Sequence, residues 1–329
     1  MANIQQVAAE AGVSVATVSR YINKPDTVAP KTRVKVKEAI QKLNYEPSSL
    51  GRNLRKSESR LFIVLIPSIS NPFYFEIIKG IETEALKKQY NIMLCETASD
   101  PEREEIYFEL VRTRMADGII SMDPAVNIKT LQEMSDRYAI VQCSEYSIDT
   151  DIAYVSIDSV SAAYQAVKHL INIGNKKIAL INSDKSFLYA RQREEGYLKA
   201  LEEYNITKND DYIYYTDELD FQAGERAMRA ILNNEERPTA VFAVSDVLAI
   251  GALKTIQAYG LKVPDDIAVV GFDKISFSNM TNPTLTTISQ PMYEMGRTAA
   301  KMLLDKIKGE EIESVILDHE LVIRESTLV

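Results

Sequence analysis

The chain has 329 residues, enough for two or three separate cores, and its 46% hydrophobic and 26% charged content is that of a soluble globular protein. No apolar run approaches the roughly 20 residues of a membrane span, and the polar start NIQQ is not that of a signal peptide, so membrane insertion and export are set aside. A net charge of −9, taken whole, argues against nucleic acid as a partner.

The N-terminal segment reverses that last argument. Asn3 can cap a first helix, with Gln6 in the capping-box position three residues on. Val7, Ala8 and Ala11 mark the inner face of this helix, and Gly12 can take the left-handed conformation that ends it. Val13 then packs inward, and Ser14 is a natural N-cap for a second helix over residues 15–22. Val18 and Ile22 share one face of it, while Ala16, Thr17 and Arg20 point away. Two short helices joined by a tight glycine turn, the second showing small, polar and basic residues outward, read as a helix-turn-helix. An ordinary core hairpin has the same outline, so shape alone does not choose. Pro30 suits the first position of a third helix running to about residue 44, whose Val36, Ile40 and Leu43 would cover the first two. Residues 1–60 hold eleven Lys and Arg against five acids, a net of +6, which leaves −15 for the remainder. A basic head on an acidic body is the distribution expected when only the head touches phosphates.

Glu46-Pro47 breaks the third helix, because the residue before proline avoids the helical region. Residues 48–55 are too short, with Gly51 among them, to form an independent helix, and by themselves read as a linker. From Leu61 the pattern changes. The short apolar runs LFIVLI, IMLC, GIIS and AIVQ alternate with helical intervals at 75–89, 102–115 and 128–137. The rhythm repeats in KIALI, YIYY, AVFAV and IAVVGF, with helices near 162–173, 192–204, 222–233 and 246–259. Such alternation signals parallel sheet covered on both faces, and two sets imply two doubly wound α/β subdomains. TLTTISQP, ESVIL and HELVIRES follow the second set.

Catalytic signatures are missing from the text. No G-x-G-x-x-G or P-loop follows a strand, no G-x-S-x-G elbow occurs, and the acidic residues scatter over helical faces. Cys95 and Cys143 sit in apolar surroundings and His169 and His319 lie far apart, so the expectation is reduced buried thiols, no metal, no cofactor and no enzyme. A ligand remains in view, because doubly wound sheets bind ligands beyond the carboxyl ends of their strands. Phe73 and Tyr74 follow the first run, Asp158 follows YVSI, and Arg193 opens R-E-E-G-Y. Phe221 sits in D-F-Q-A-G, Ser245 and Asp246 follow VFAV, and Asp273 ends VVGFD. Aromatics for stacking, an arginine and several carboxylates would suit a polyhydroxylated ligand. The plainer alternatives are that Phe73 and Phe221 are core and that Asp158 and Asp246 cap the following helices.

The stretches NIQQVAAEAGVSVATVSRYIN and TRVKVKEAIQKLNYEPSSLGRNLR resemble the N-terminus of the lactose/galactose-repressor (LacI/GalR) family of bacterial transcription factors, and the resemblance covers nearly the whole chain. It implies an all-α helix-turn-helix head at 1–45, a hinge at 46–59, and a periplasmic-binding-protein-like core at 60–329 for effector binding and dimerisation. The N-subdomain of that core would span about 60–157 plus 289–318, and the C-subdomain about 158–288 plus 319–329. DNA contacts would fall on Ser14, Val15, Ala16, Thr17, Ser19, Arg20 and Asn23. In the hinge, Leu54 would wedge into the minor groove between Arg52 and Arg55. Gly51 departs from the alanine usual there, and Ser245 stands where many sugar-binding relatives carry asparagine.

The implied protein is a cytoplasmic homodimeric regulator, most often a repressor in this family. Its partners would be pseudo-palindromic double-stranded operator DNA and a small-molecule effector such as a sugar, sugar phosphate or nucleoside, with a phosphocarrier protein as coregulator in some relatives. A transport solute-binding protein is the rival reading, opposed by the basic head and the absence of a signal peptide. The final residues 326–329 carry no leucine-heptad tail of the kind that pairs dimers into tetramers.

Overall fold

The structure is a computed structural model that describes residues 2–45, 58–123 and 128–328, and it divides into two units, residues 1–59 and 60–329. The first unit is three helices, α1 (Ile4–Ala11), α2 (Val15–Asn23) and α3 (Pro30–Lys42). The capping box between Asn3 and Gln6 is formed in both directions, and Gly12 ends α1 at φ 64°. Ser14 caps α2, and Pro30 stands in the first turn of α3, where its missing N–H costs nothing. Val7, Ala8, Ala11, Val18, Val36 and Ala39 are the buried centre, with Ile40 and Leu43 packed at its edge. Arg33 ties the turn before α3 in place, donating from Nε to the Val28 carbonyl at 2.6 Å and from Nη1 to Asp26 at 2.9 Å.

The second unit contains two six-stranded sheets. The first consists of β1 (Leu61–Ile66), β2 (Asn91–Glu96), β3 (Gly118–Ser121), β4 (Ala139–Cys143), β5 (Tyr154–Ile157) and β11 (Val315–Leu317), in the order β11-β5-β4-β3-β1-β2. Every pairing in it is parallel. The second consists of β6 (Ile178–Ser183), β7 (Ile213–Thr216), β8 (Ala240–Ala243), β9 (Ala268–Asp273), β10 (Thr286–Ser289) and β12 (Glu320–Val322), in the order β12-β10-β9-β8-β6-β7. Here only the β10–β12 edge pairing is antiparallel. Strands such as β1, β3, β6, β8 and β9 are buried almost throughout, as continuous apolar runs between two helical layers must be.

Helices α4 (Tyr74–Lys87), α5 (Pro101–Arg112) and α6 (Ile128–Ser135) belong to the first lobe. Helices α7 (Ser159–Asn172), α8 (Leu188–Glu203), α9 (Phe221–Leu232) and α10 (Asp246–Ala258) belong to the second. Helix α11 (Met292–Ile307) follows the second lobe in sequence yet packs on the first. Its Gly296 and the facing Gly80 of α4 allow backbone contact: a Cβ on either would meet a partner carbonyl oxygen at 2.0–2.1 Å. The chain therefore crosses between lobes three times, near 158, near 290 and near 318, and the final short strands divide between the two sheets.

Both sheets place their first strand between the second and third. This reversal of winding opens a crevice at the carboxyl ends of β1 and β6.

Candidate functional site

On the head, α2 presents Val15, Ala16 and Arg20 outward, and with Ser19, Asn23 and Lys24 they border one shallow recess. Val15 is 41% exposed. The other expected DNA contacts are engaged within the head. The Ser14 hydroxyl accepts from the Thr17 N–H at 3.2 Å and lies 2.9 Å from the Thr17 hydroxyl. Ser19 is only 8% exposed, and its carbonyl accepts from Asn23 Nδ2 at 2.7 Å. Ser19 stands four residues after Val15 and four before Asn23, so it shares their face of α2 and lies at the floor of the same recess. Arg52, Leu54 and Arg55 lie outside the described residues.

In the core, a cavity of about 820 Å³ occupies the crevice at the carboxyl ends of both sheets. Loops after β1, β2, β3 and β4 line one side, with Phe73, Tyr74, Glu96, Met122 and Glu145. Loops after β6 and β7 and the ends of β8 and β9 line the other, with Phe187, Tyr189, Asp220, Phe221, Val247 and Asp273, and Arg193 reaches in from α8. Five expected residues therefore meet here: Phe73, Tyr74, Arg193, Phe221 and Asp273.

Arg193 and Asp273 form the polar centre. Arg193 is 5% exposed, its guanidinium 3.7 Å from the Phe272 ring centroid and 3.6 Å from Asp273 Oδ1. One Nη donates to the Val244 carbonyl, while its buried Nε has no hydrogen-bond partner. Burial pulls the Arg193 pKa down, opposed chiefly by the Asp273 charge. Asp273 accepts from Ser245 Oγ at 2.8 Å and from Gln290 Nε2 at 2.7 Å. Burial lifts its carboxyl to about 6 against the pull of Arg193 and these two donors. Its backbone sits at φ 112°, a conformation that costs an aspartate free energy and is held only by its surroundings.

Three expected ligand residues do not line the cavity. Asp158 is exposed and caps α7, accepting from the Ser161 N–H at 2.9 Å. Ser245 touches Asp273 rather than the open space. Asp246 is fully buried behind it, accepting from Thr287 Oγ1 at 2.6 Å and the Ile275 N–H at 2.9 Å, so it braces the turn that carries Asp273 instead of capping α10. Burial and the nearby Asp273 charge raise its carboxyl pKa well above the usual range.

Glu145, Tyr189 and Gln290 are not among the residues the sequence singles out. Glu145 and Tyr189 follow strands, and extending the loop argument to β4 and β6 would find them. Gln290 directly follows β10, and the same extension reaches it. Among the described residues, no cluster of His, Cys, Asp and Glu is arranged to hold a metal, and no helix is long and apolar enough to cross a membrane.

A basic three-helix head joined to a two-lobed α/β core with a ligand crevice defines a class of DNA-binding regulators. The family model "Bacterial regulatory proteins, lacI family" matches residues 3–48, and "Periplasmic binding proteins and sugar binding domain of LacI family" matches residues 60–325. The HTH-type transcriptional repressor CytR of Escherichia coli (strain K12) is 37% identical over 329 residues, covering 99% of this chain and 96% of that protein. The HTH-type transcriptional repressor PurR of Aliivibrio salmonicida is 34% identical, with 99% of each covered. A crystal structure of the Lac repressor dimer bound to operator and the anti-inducer ONPF superposes with a TM-score of 0.87 at 27% identity, covering 100% of this chain and 99% of that one. The chain belongs to the LacI family: it is a DNA-binding transcriptional regulator with an effector-binding domain, not an enzyme.

Proposed function

We propose that the protein is a cytoplasmic homodimeric repressor whose two heads read a pseudo-palindromic operator through Val15, Ala16 and Arg20. Its grip on DNA is set by an uncharged, ring-containing, hydroxyl-rich effector in the core cavity. The observation that carries this reading is the buried Arg193–Asp273 pair, which lines the cavity together with Phe73, Tyr74, Tyr189 and Phe221. Sugars and nucleosides both offer a ring for the aromatics and hydroxyls for the carboxylate. Among the described lining residues, six carboxylates face one guanidinium, a balance that repels phosphate and weighs against a sugar phosphate.

Arg193 and Asp273 come from the second lobe and Phe73 and Tyr74 from the first, so a ligand touching all four would alter the preferred angle between lobes. A thermal-shift panel of nucleosides, free sugars and their phosphates on the full chain tests this. Operator titrations then follow, with the active compound and with a phosphorylated carrier protein as a separate arm. Stabilisation by an unphosphorylated compound is expected. Stabilisation by phosphates alone would overturn the assignment of ligand class.

A further inference from the structure

Helix α8 begins without a cap of its own. Phe187 in the N-cap position offers no side-chain acceptor, the first turn contains no acid, and Arg191 and Arg193 place positive charge near the positive end of the helix dipole. The missing acceptor comes from the other lobe. Glu145, just after β4, receives the Leu188 N–H at 2.5 Å on one carboxylate oxygen and the Tyr189 N–H at 3.1 Å on the other.

Its reach is fixed by a tight turn. Ser144 adopts φ 70°, its N–H donates to the Val155 carbonyl at 2.8 Å, and its carbonyl accepts from Ser156 Oγ at 2.8 Å. One residue on, Tyr146 stacks on Tyr154 with ring centroids 3.7 Å apart, and its hydroxyl accepts from Gln192 Nε2 of α8 at 3.2 Å. Two successive residues of the first lobe thus hold the first turns of a helix in the second. Glu145 is 6% exposed and borders the cavity, and the helix it caps carries Tyr189 and Arg193 into that cavity.

We propose that Glu145 is a positioning residue that clasps the two lobes, tying the placement of Tyr189 and Arg193 to lobe closure. Parting the lobes would strip two N–H groups of their acceptor and leave a carboxylate without its donors, so the contact is either made or lost as a unit. The clasp itself rests on contacts within the protein. Only its consequence for effector binding rests on the ligand reading above.

Hydrogen exchange on the full-length protein tests it, comparing wild type with Glu145→Ala and Glu145→Gln. In the alanine variant, exchange at the Leu188 and Tyr189 amides is expected to rise about tenfold, as for a lost helix cap, with residues 197–203 unchanged. Nitroxide labels at Ile106→Cys and Tyr259→Cys, exposed sites on the two lobes, should report a longer and broader distance distribution in the same background. The glutamine variant keeps one acceptor oxygen and is expected to fall between, and it carries the test should the alanine variant not fold. Unchanged exchange at the two amides overturns the proposal, and so does a rise spread evenly over the second lobe. Raised exchange with an unchanged distance distribution leaves a cap but no clasp and equally overturns it. None of these measurements needs a ligand, so failure of every sugar and nucleoside to bind would sink the ligand reading alone.

Discussion

In the head, Val15, Ala16 and Arg20 stand out from a small apolar centre, whereas in the core Arg193 and Asp273 are 5% and 4% exposed and touch each other. An exposed basic surface meets its partner through water and ions, and its attraction is screened by salt. A buried pair has lost its water already, and its worth depends on placement and protonation. The two sites should therefore respond to different perturbations.

Salt gives the largest expected effect. A dimer whose two N-terminal segments, residues 1–60, each carry +6 and that neutralises six to ten phosphates is expected to lose roughly 10³–10⁵ in operator affinity between 50 and 200 mM salt. Binding of the uncharged effector to the core should hardly change over the same range. Fluorescence titrations of both across a salt series check this, and a flat operator plot would remove the head as the DNA surface.

In the core, a buried carboxyl should make stability depend on pH. Glu104 is 1% exposed, neither carboxylate oxygen has a partner, and burial, with the charges of Asp123 and Glu105, raises its pKa to about 8. A carboxyl whose folded pKa lies above its unfolded value contributes most stability below the unfolded pKa, and that contribution is lost as pH rises through the folded one. Glu104→Gln should leave stability near pH 4.5 almost unchanged and gain about 2–4 kcal/mol over wild type at pH 9, since each tenfold difference in proton affinity between the folded and unfolded chain is worth about 1.4 kcal/mol and the site can relax in part. Thermal unfolding of both proteins at the two pH values decides it: an equal difference at both would mean Glu104 is not titrating between them.

The head and the sheets are legible in the sequence because their signals are local. The capping box at Asn3 and Gln6, the glycine turn at Gly12 and the apolar runs at 61–66 and 178–183 each lie within a few residues. The sequence pattern starts helix α8 near residue 192, but the helix begins at Leu188, because its cap is Glu145, 43 residues earlier. Asp246 is legible as a candidate but not in its role, since Thr287 and Ile275 meet it only through the sheet.

At the two sites themselves, single substitutions separate the arrangements further. Arg193→Ala and Asp273→Ala should each lower effector affinity roughly 30- to 1,000-fold if the ligand bonds directly to both, since losing one buried charged hydrogen bond to a partner costs about 2–4 kcal/mol. Calorimetry on the full chain measures this, and unchanged affinity in both would take the pair out of the ligand site. Arg20→Ala should cost about 1–3 kcal/mol per half-site on operator and little on random DNA if its guanidinium reads a guanine edge. Equal weakening on both would make it a phosphate contact.

The smallest expected effect falls on Ser14, where the two kinds of site meet in one hydroxyl. Ser14 Oγ accepts the Thr17 N–H and lies beside the Thr17 hydroxyl, so part of its bonding capacity is spent inside the head. Removing an N-cap acceptor costs about 0.5–2 kcal/mol, and Ser14→Ala should lower the stability of the head by that amount. Its effect on operator affinity would then be ambiguous, since a less stable head also binds less well. Ser14→Asp resolves this. Aspartate caps a helix as well as serine and favours the helix dipole, so head stability should return to wild type or above. The added negative charge stands beside Val15 and Ala16, and if that face meets DNA it should repel phosphate and weaken operator binding, most strongly at low salt. Thermal unfolding of the head and operator titration at 50 and 200 mM salt measure the two halves. A Ser14→Asp variant that is stable and binds operator as wild type does would turn the start of α2 away from the DNA.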